Sequence, residues 1–362
     1  MKKTMMLCLL LAALLCGCGK ETETAALKAA PSIQLPAAVS VTQPETESTE
    51  ETPPQPEKFV LTFAGDCTLG ASPSHTYMEI GFIKTIGEDY GFPFRNVQEY
   101  FDEDDFTLIN LEGVLCDSGY LVNKKHTFRG PTDYVNILTQ SSVEAVSLAN
   151  NHTMDYGEKA YEVTKQVLEE NRVAYVERDS STVFTTESGL TIGMYAAVYY
   201  LMEEDVIRQE IGALAADPEI DLVIFVPHWG YEHNYRPHEK QISLAHAAIE
   251  AGADIVCGSH PHVLQPVEEY EDGIIYYSLG NFSFGGNAYP GDYDTALLQQ
   301  EVIREPDGSV HLGDLIMIPA NVSSMPKRNN YQPTPYQEGT EEYNRVISKL
   351  DGSFDGPNLP VS

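Results

Sequence analysis

The sequence predicts a layered α/β sandwich. Near-continuous apolar runs alternate with helical patterns along the chain, and five of those runs end in a polar, chemistry-bearing residue. Runs without polar alternation are strands covered on both faces, so each sheet must be flanked by helices or by another sheet. No internal repeat divides the chain, and its 362 residues fit one large domain behind an N-terminal leader.

At the N-terminus, Lys2 and Lys3 precede an apolar run from Met5 to Cys16. A membrane-spanning helix needs roughly 20 apolar residues, so this shorter run predicts a secretory signal. Leu15-Cys16-Gly17-Cys18 resembles the lipobox of bacterial lipoproteins. The resemblance implies that residues 1–17 are removed, that Cys18 carries lipid, and that the protein is extracytoplasmic and anchored to the cell membrane. Two acyl chains on Cys18 are enough for stable anchoring, where one is not. Residues 18–58 are rich in Glu, Thr, Ala, Ser and Pro and contain no aromatic residue, the composition of a disordered tether. Residues 59–345 are then expected to form the domain and residues 346–362 a tail.

Within the domain the expected strands are Phe59–Ala64, Phe106–Ile109, Ala145–Leu148, Leu222–Val226 and Asp254–Cys257. Helical patterns occupy Tyr134–Ser141, Glu158–Glu170 and Glu239–Ala251. The net charge is −32, with 54 acidic residues against 22 basic. Such a surface repels polyanions at long range, so nucleic acid is excluded as a partner. Cys67, Cys116 and Cys257 are too few for a disulfide framework and are expected to be small buried residues.

Ligand sites in open α/β sheets gather at the carboxyl ends of strands. Asp66, Glu112, Asn151, His228, His260 and His262 all follow predicted strands and are expected to converge on one rim. Taken one at a time, each has an ordinary reading as a turn former, helix cap or satisfied core histidine. Together, and above all with His260-Pro261-His262 directly after a strand, they predict a site for one or two divalent metal ions. Oxygen and imidazole donors without a thiolate quartet suit Mn²⁺, Fe²⁺, Zn²⁺ or Mg²⁺. Arg129 and Arg236 are candidate anion contacts whose ordinary reading, a surface ion pair, is the stronger one, and His233 is a candidate support for His228.

Six strings carry a resemblance to a known family: Phe63-Ala64-Gly65-Asp66, Asn110-Leu111-Glu112-Gly113, Leu148-Ala149-Asn150-Asn151-His152 with Asp155-Tyr156-Gly157, His228-Trp229-Gly230-Tyr231-Glu232, Gly258 to Pro266, and Tyr277 to Phe282. In this order they resemble the signatures of CapA-type capsule-synthesis proteins of poly-γ-glutamate biosynthesis, a branch of the calcineurin-like metallophosphoesterases. The resemblance implies a four-layer α/β/β/α metallophosphoesterase-like sandwich with a dinuclear metal centre. It implies Asp66 and Glu112 as acidic ligands, Asn151, His228 and His260 on one metal, and His262 on the other. His152 matches the proton donor of active phosphoesterases, and Asn150, Asp155, Glu232 and Asn281 are expected to hold the ligands in place. Two departures stand out: Cys67-Thr68 follow Asp66 where the superfamily has Asp-x-His, and Glu112 replaces an Asp. The implied partners are a polyglutamate synthase or export complex and an anionic envelope polymer. The alternative is a secreted phosphoesterase acting on envelope phosphates; a glycosidase using Asp66 and Glu112 leaves the histidines unexplained.

Overall fold

In the computed structural model, which describes residues 54–76, 78–199 and 202–360, strand β1 (Glu57–Cys67) starts directly after the Pro-rich stretch. The leader, Cys18 and nearly all of the tether lie outside the described residues. β1 sits at the centre of a seven-stranded mixed sheet. On one side it pairs in parallel with β2 (Phe106–Leu111), followed by β5 (Ala145–Ser147) and β6 (Ala174–Val176). On the other side it pairs antiparallel with β13 (Asp294–Arg304), then β14 (Val310–Asn321) and β15 (Thr334–Pro335).

The second sheet has six strands, in the order β11 (Val267–Tyr270), β12 (Gly273–Tyr276), β10 (Ile255–Cys257), β9 (Leu222–His228), β8 (Thr191–Val198) and β7 (Ser180–Thr185). Its four central strands are parallel and both edges are antiparallel. A short ribbon, β3 (Val114–Leu115) with β4 (Arg129–Gly130), stands apart from both sheets.

Period-two alternation divides each buried strand between two cores. On β9, Leu222, Ile224 and Val226 face the core shared with the first sheet, while Val223 and Phe225 face helices α5 (Glu204–Ala215) and α6 (Glu239–Glu250). On β1, Phe59, Leu61 and Phe63 meet that same inter-sheet core, and Ala64 turns to the opposite face. That outer face is covered by α1 (Phe82–Ile86), α2 (Gln98–Asp102), α3 (Val135–Thr139) and α4 (Glu158–Glu170). Helix, sheet, sheet and helix make four layers, the architecture expected from the sequence.

The five expected strands and the helices at Glu158–Glu170 and Glu239–Glu250 appear where their patterns lie. The Tyr134–Ser141 pattern gives a single 3₁₀ turn, Thr132–Tyr134, leading into the short α3. Helix α7 (Glu341–Leu350) runs across the expected domain end at residue 345 and packs Val346 and Leu350 into the seam between the sheets. Its Lys349, almost wholly buried, bonds Asp292 at 2.6 Å and Asp294 at 2.8 Å, and Arg345 clasps Asp294 with two bonds of 2.7 Å. The segment after α7 runs on to His233, where the Leu359 amide bonds the His233 carbonyl at 3.1 Å. Among the described residues no helix is long and apolar enough to cross a membrane.

Candidate metal centre

The parallel strands of both sheets deliver their carboxyl ends to one rim. Asp66 lies near the end of β1, Glu112 follows β2, and Asn150 to His152 follow β5. From the facing sheet, His228 ends β9 and His260 and His262 follow β10. The two edges are joined by backbone bonds: the Asp66 amide donates to the Gly280 carbonyl at 2.8 Å, and the Phe282 amide donates to the Asp66 carbonyl at 2.9 Å. Asn281 is thereby held alongside Asp66. Only glycine fits at Gly65, where a Cβ would stand 2.0 Å from the Gly280 carbonyl oxygen.

The loop carrying His260-Pro261-His262 holds both histidines in the left-handed region, with φ of 100° and 57°. Such conformations cost on the order of 1–3 kcal/mol each and persist where surrounding structure enforces them. They turn His262 toward the carboxylates. Its Nδ1 lies 3.0 Å from Asp66 Oδ2 and its Nε2 lies 3.6 Å from Glu112 Oε1. His228 Nδ1 meets Ser259 Oγ at 2.8 Å, its Nε2 meets Asn151 Oδ1 at 3.2 Å, and its ring centre is 4.7 Å from that of His260. All six predicted ligands therefore gather at this rim. Asp66, Glu112 and His262 bring ligand atoms within 4.8 Å of one another, and Glu232, His260 and His262 form a second such trio.

The chemistry of this donor set fits a divalent cation. Glu112 Oε1, His260 Nδ1 and Asn281 Oδ1 are buried without a hydrogen-bond partner, and orphaned buried polar atoms on one rim are what a bound cation satisfies. Burial pushes the Glu112 carboxyl up to about 8, with the Asp66 charge adding to it. Burial also opposes the imidazolium of His262, but the Glu112 and Asp66 carboxylates override it and raise that group to about 9. Burial lowers His260 to about 4 and His228 well below the ordinary value, so both are neutral at pH 7 with a lone pair available for ligation.

His152 is held separately. Its Nδ1 bonds Asp155 Oδ2 at 2.6 Å, and its Nε2 lies 3.7 Å from Glu112 Oε1. Asp155 also accepts the Phe128 amide at 2.7 Å and pairs with Lys124 at 3.2 Å. It orients the imidazole; the cap of α4 is Gly157, with no side-chain cap bond. A cavity of about 330 Å³ opens over His152 and His262, with Phe128, Glu232 and Asn281 in its wall. His233 also lines it and bonds the Pro360 carbonyl at 2.9 Å. Arg129 lies over the Tyr156 ring at 4.8 Å and Arg236 bonds the Phe354 carbonyl at 3.0 Å, so both are occupied outside this cavity. Cys67, Cys116 and Cys257 are buried free thiols, as expected.

Two residues escaped the sequence reading. Asn110 donates to Asp66 Oδ1 at 2.8 Å and to Glu112 Oε2 at 3.3 Å, and accepts from Asn150 at 3.1 Å, linking three strand ends. The signal was available, because Asn110 lies two positions before Glu112 and so on the same face of an extended chain. Lys124 sits in a loop without periodicity, where nothing in the sequence placed it beside His152.

The family model described as bacterial capsule synthesis protein PGA_cap matches residues 60–286, more than half of the chain. The capsule biosynthesis protein CapA of Bacillus anthracis is 28% identical over 81% of this chain and 73% of its own length. The PGA biosynthesis protein CapA of Bacillus subtilis is 28% identical over 81% of this chain and 80% of its own. A probable polyglutamine synthesis accessory protein of Mycobacterium tuberculosis is 25% identical over 61% of this chain and 67% of its own. Among solved structures, the NAD nucleotidase of Haemophilus influenzae matches with a TM-score of 0.42 and 12% identity, covering 83% of this chain and 63% of that one. A hypothetical protein from Thermus thermophilus matches with a TM-score of 0.44 and 14% identity, covering 72% and 98%. On the extent of the family match, the chain belongs to the bacterial capsule synthesis protein PGA_cap family.

Proposed function

We propose that this protein is a lipid-anchored, extracytoplasmic CapA-type factor of capsule or poly-γ-glutamate biosynthesis or export, built around a centre for one or two divalent cations. Family membership supports the biosynthetic role. The observation that carries the metal reading is the orphaned pair of Glu112 Oε1 and His260 Nδ1, buried on one rim beside Asp66, Asn151, His228 and His262. These six residues would hold the ion, and Asn110 fixes the carboxylates in place. A cation bound there supplies Lewis acidity toward anionic oxygens and offsets the local excess of carboxylates. The His152–Asp155 pair, bonded at 2.6 Å beside the rim, supports as a second reading a phosphoesterase acting on envelope phosphates, in which His152 would protonate the leaving oxygen. A polyglutamate synthase or export complex is the partner this reading proposes.

Elemental analysis of the purified chain, grown with Mn²⁺ and Zn²⁺ present, tests the metal reading. The expected result is one to two divalent ions per chain in the wild type and loss of most of them in the His260→Ala, His262→Ala double variant. Metal-free wild type, or unchanged content in the double variant, would overturn it.

A further inference from the structure

Strand β1 withholds one donor from the rim. Thr68 stands where the Asp-x-His pattern has its histidine, and its hydroxyl is used up within the fold: it donates to the Gly70 carbonyl at 3.0 Å and accepts the Gly285 amide at 2.8 Å. A ligand to make up the number must then come from another segment.

The loop after β9 brings one. Glu232 is half-buried in the wall of the cavity over His152 and His262, and its carboxylate lies within 4.8 Å of ring nitrogens of both His260 and His262. The backbone sets its place. The amide of the next residue, His233, donates at 2.7 Å to the carbonyl of Pro261, between the two histidines, and His233 itself is held in the left-handed region with φ of 65°. Gln265 secures the same loop by donating to the Asn234 carbonyl at 2.8 Å. The carboxylate and the two imidazoles are therefore carried on loops fastened to each other.

Nothing in the fold uses this carboxylate. Among the described residues Glu232 makes no hydrogen bond and no ion pair. Asp292, the other acid in the cavity wall, is accounted for: Lys349 reaches it at 2.6 Å and the Tyr235 hydroxyl at 2.8 Å. Glu232 instead adds negative charge near Glu112 and Asp66, a repulsion that a cation held among them relieves. Close to it, His260 Nδ1 is buried without a partner.

We propose that Glu232 is a direct metal ligand, binding a cation with His260 and His262 on the cavity side of the centre and supplying from the second sheet the donor that β1 lacks. This rests on the metal reading above and adds to it a ligand whose oxygen biases that position toward a hard ion such as Mn²⁺ over Zn²⁺.

Calorimetric titration of the metal-stripped, purified chain with Mn²⁺ and, separately, with Zn²⁺ tests the assignment. The wild type is expected to bind either metal. Glu232→Gln is expected to weaken Mn²⁺ roughly tenfold or more at one position and Zn²⁺ less, and Glu232→His to recover Zn²⁺ while Mn²⁺ stays weak. Glu239→Gln, the same charge change at the start of α6 and outside the cavity, should match the wild type. A residue that only positioned the histidines would weaken both metals alike in both Glu232 variants. That outcome, or wild-type affinities in Glu232→Gln, overturns the assignment and leaves the metal reading standing. A wild type that binds neither metal overturns the metal reading, and the assignment with it.

Discussion

His152 Nδ1 lies 2.6 Å from Asp155 Oδ2, and this single bond decides which ring nitrogen faces Glu112. The carboxylate is itself fixed by the Phe128 amide and by Lys124. In the phosphoesterase reading, His152→Ala lowers hydrolysis by roughly 10²–10⁴ while metal content stays at the wild-type level. Asp155→Asn lowers it in the same direction through loss of ring orientation. In the accessory-factor reading neither substitution alters polymer production. Rates on generic phosphomonoesters and diesters are expected to be low, because Thr68 occupies the Asp-x-His position and its hydroxyl is engaged by the Gly285 amide at 2.8 Å. A robust wild-type phosphatase rate contradicts that expectation.

Gly65→Ala is expected to damage fold and site together. The new Cβ would meet the Gly280 carbonyl oxygen at 2.0 Å and the Leu279 carbonyl oxygen at 2.8 Å, both backbone atoms with no rotamer to give way. Prising these strand ends apart should cost about 1–3 kcal/mol in a denaturant titration and should lower metal content. Wild-type stability with reduced metal would separate the two effects and argue against strain as their common cause.

Glu144 gives stability a pH dependence remote from the rim. Burial pushes its carboxyl up to about 7 from the ordinary 4.5, although its oxygen accepts the Thr107 amide at 2.7 Å. The folded chain therefore holds this proton more tightly than the unfolded chain. The stability this contributes is full below pH 4.5 and is lost as pH rises through about 7. Glu144→Gln keeps an acceptor for Thr107 and has no charge to bury. It should match the wild type near pH 4.5 and exceed it by about 1–2 kcal/mol above pH 7. Denaturant midpoints across pH read this directly, and a variant that gains at acid pH instead would contradict it. Asp104, also raised by burial to about 6, leaves a residual slope of the same sign.

Metabolic labelling with a fatty-acid probe tests the anchor. Label is expected on the wild type and absent from Cys18→Ser, which should also leave the membrane fraction. Persistent label on the variant would refute lipidation at this cysteine.

Much of the site was legible because its ligands sit at the ends of fully apolar strands, where composition changes abruptly: Val226-Pro227-His228 and Val256-Cys257-Gly258 are examples. The helix at Glu158–Glu170 was legible for the complementary reason, an apolar stripe at helical spacing through Tyr161 and Leu168. The long antiparallel pair β13 and β14 was not. β14 alternates between half-buried and exposed positions along most of its length, and β13, although largely buried, breaks up its apolar residues with Asp294, Thr295, Gln299, Gln300 and Glu301, so no long apolar run marks either strand. The same mixed composition hid α7, whose buried Lys349 reads from sequence as a surface charge until Asp292 and Asp294 are seen to enclose it. Lys124 illustrates a further limit, because a loop side chain is placed by the chain ends on either side of it and not by its own neighbours.

The contact between His262 and Asp66 joins residues 196 positions apart, one in β1 of the first sheet and the other in the loop after β10 of the second. A chain that has formed only the β1–β2–β5 half holds carboxylates and Asn110 with no imidazole from β9 or β10 opposite them. Closing so long a loop carries an entropic penalty that only docking of the two sheets offsets, so the cluster assembles late in folding. The reverse also follows. Whatever occupies this seam is held by both sheets at once, so its binding stabilises their docking, while the cavity over His262 keeps it within reach of solvent.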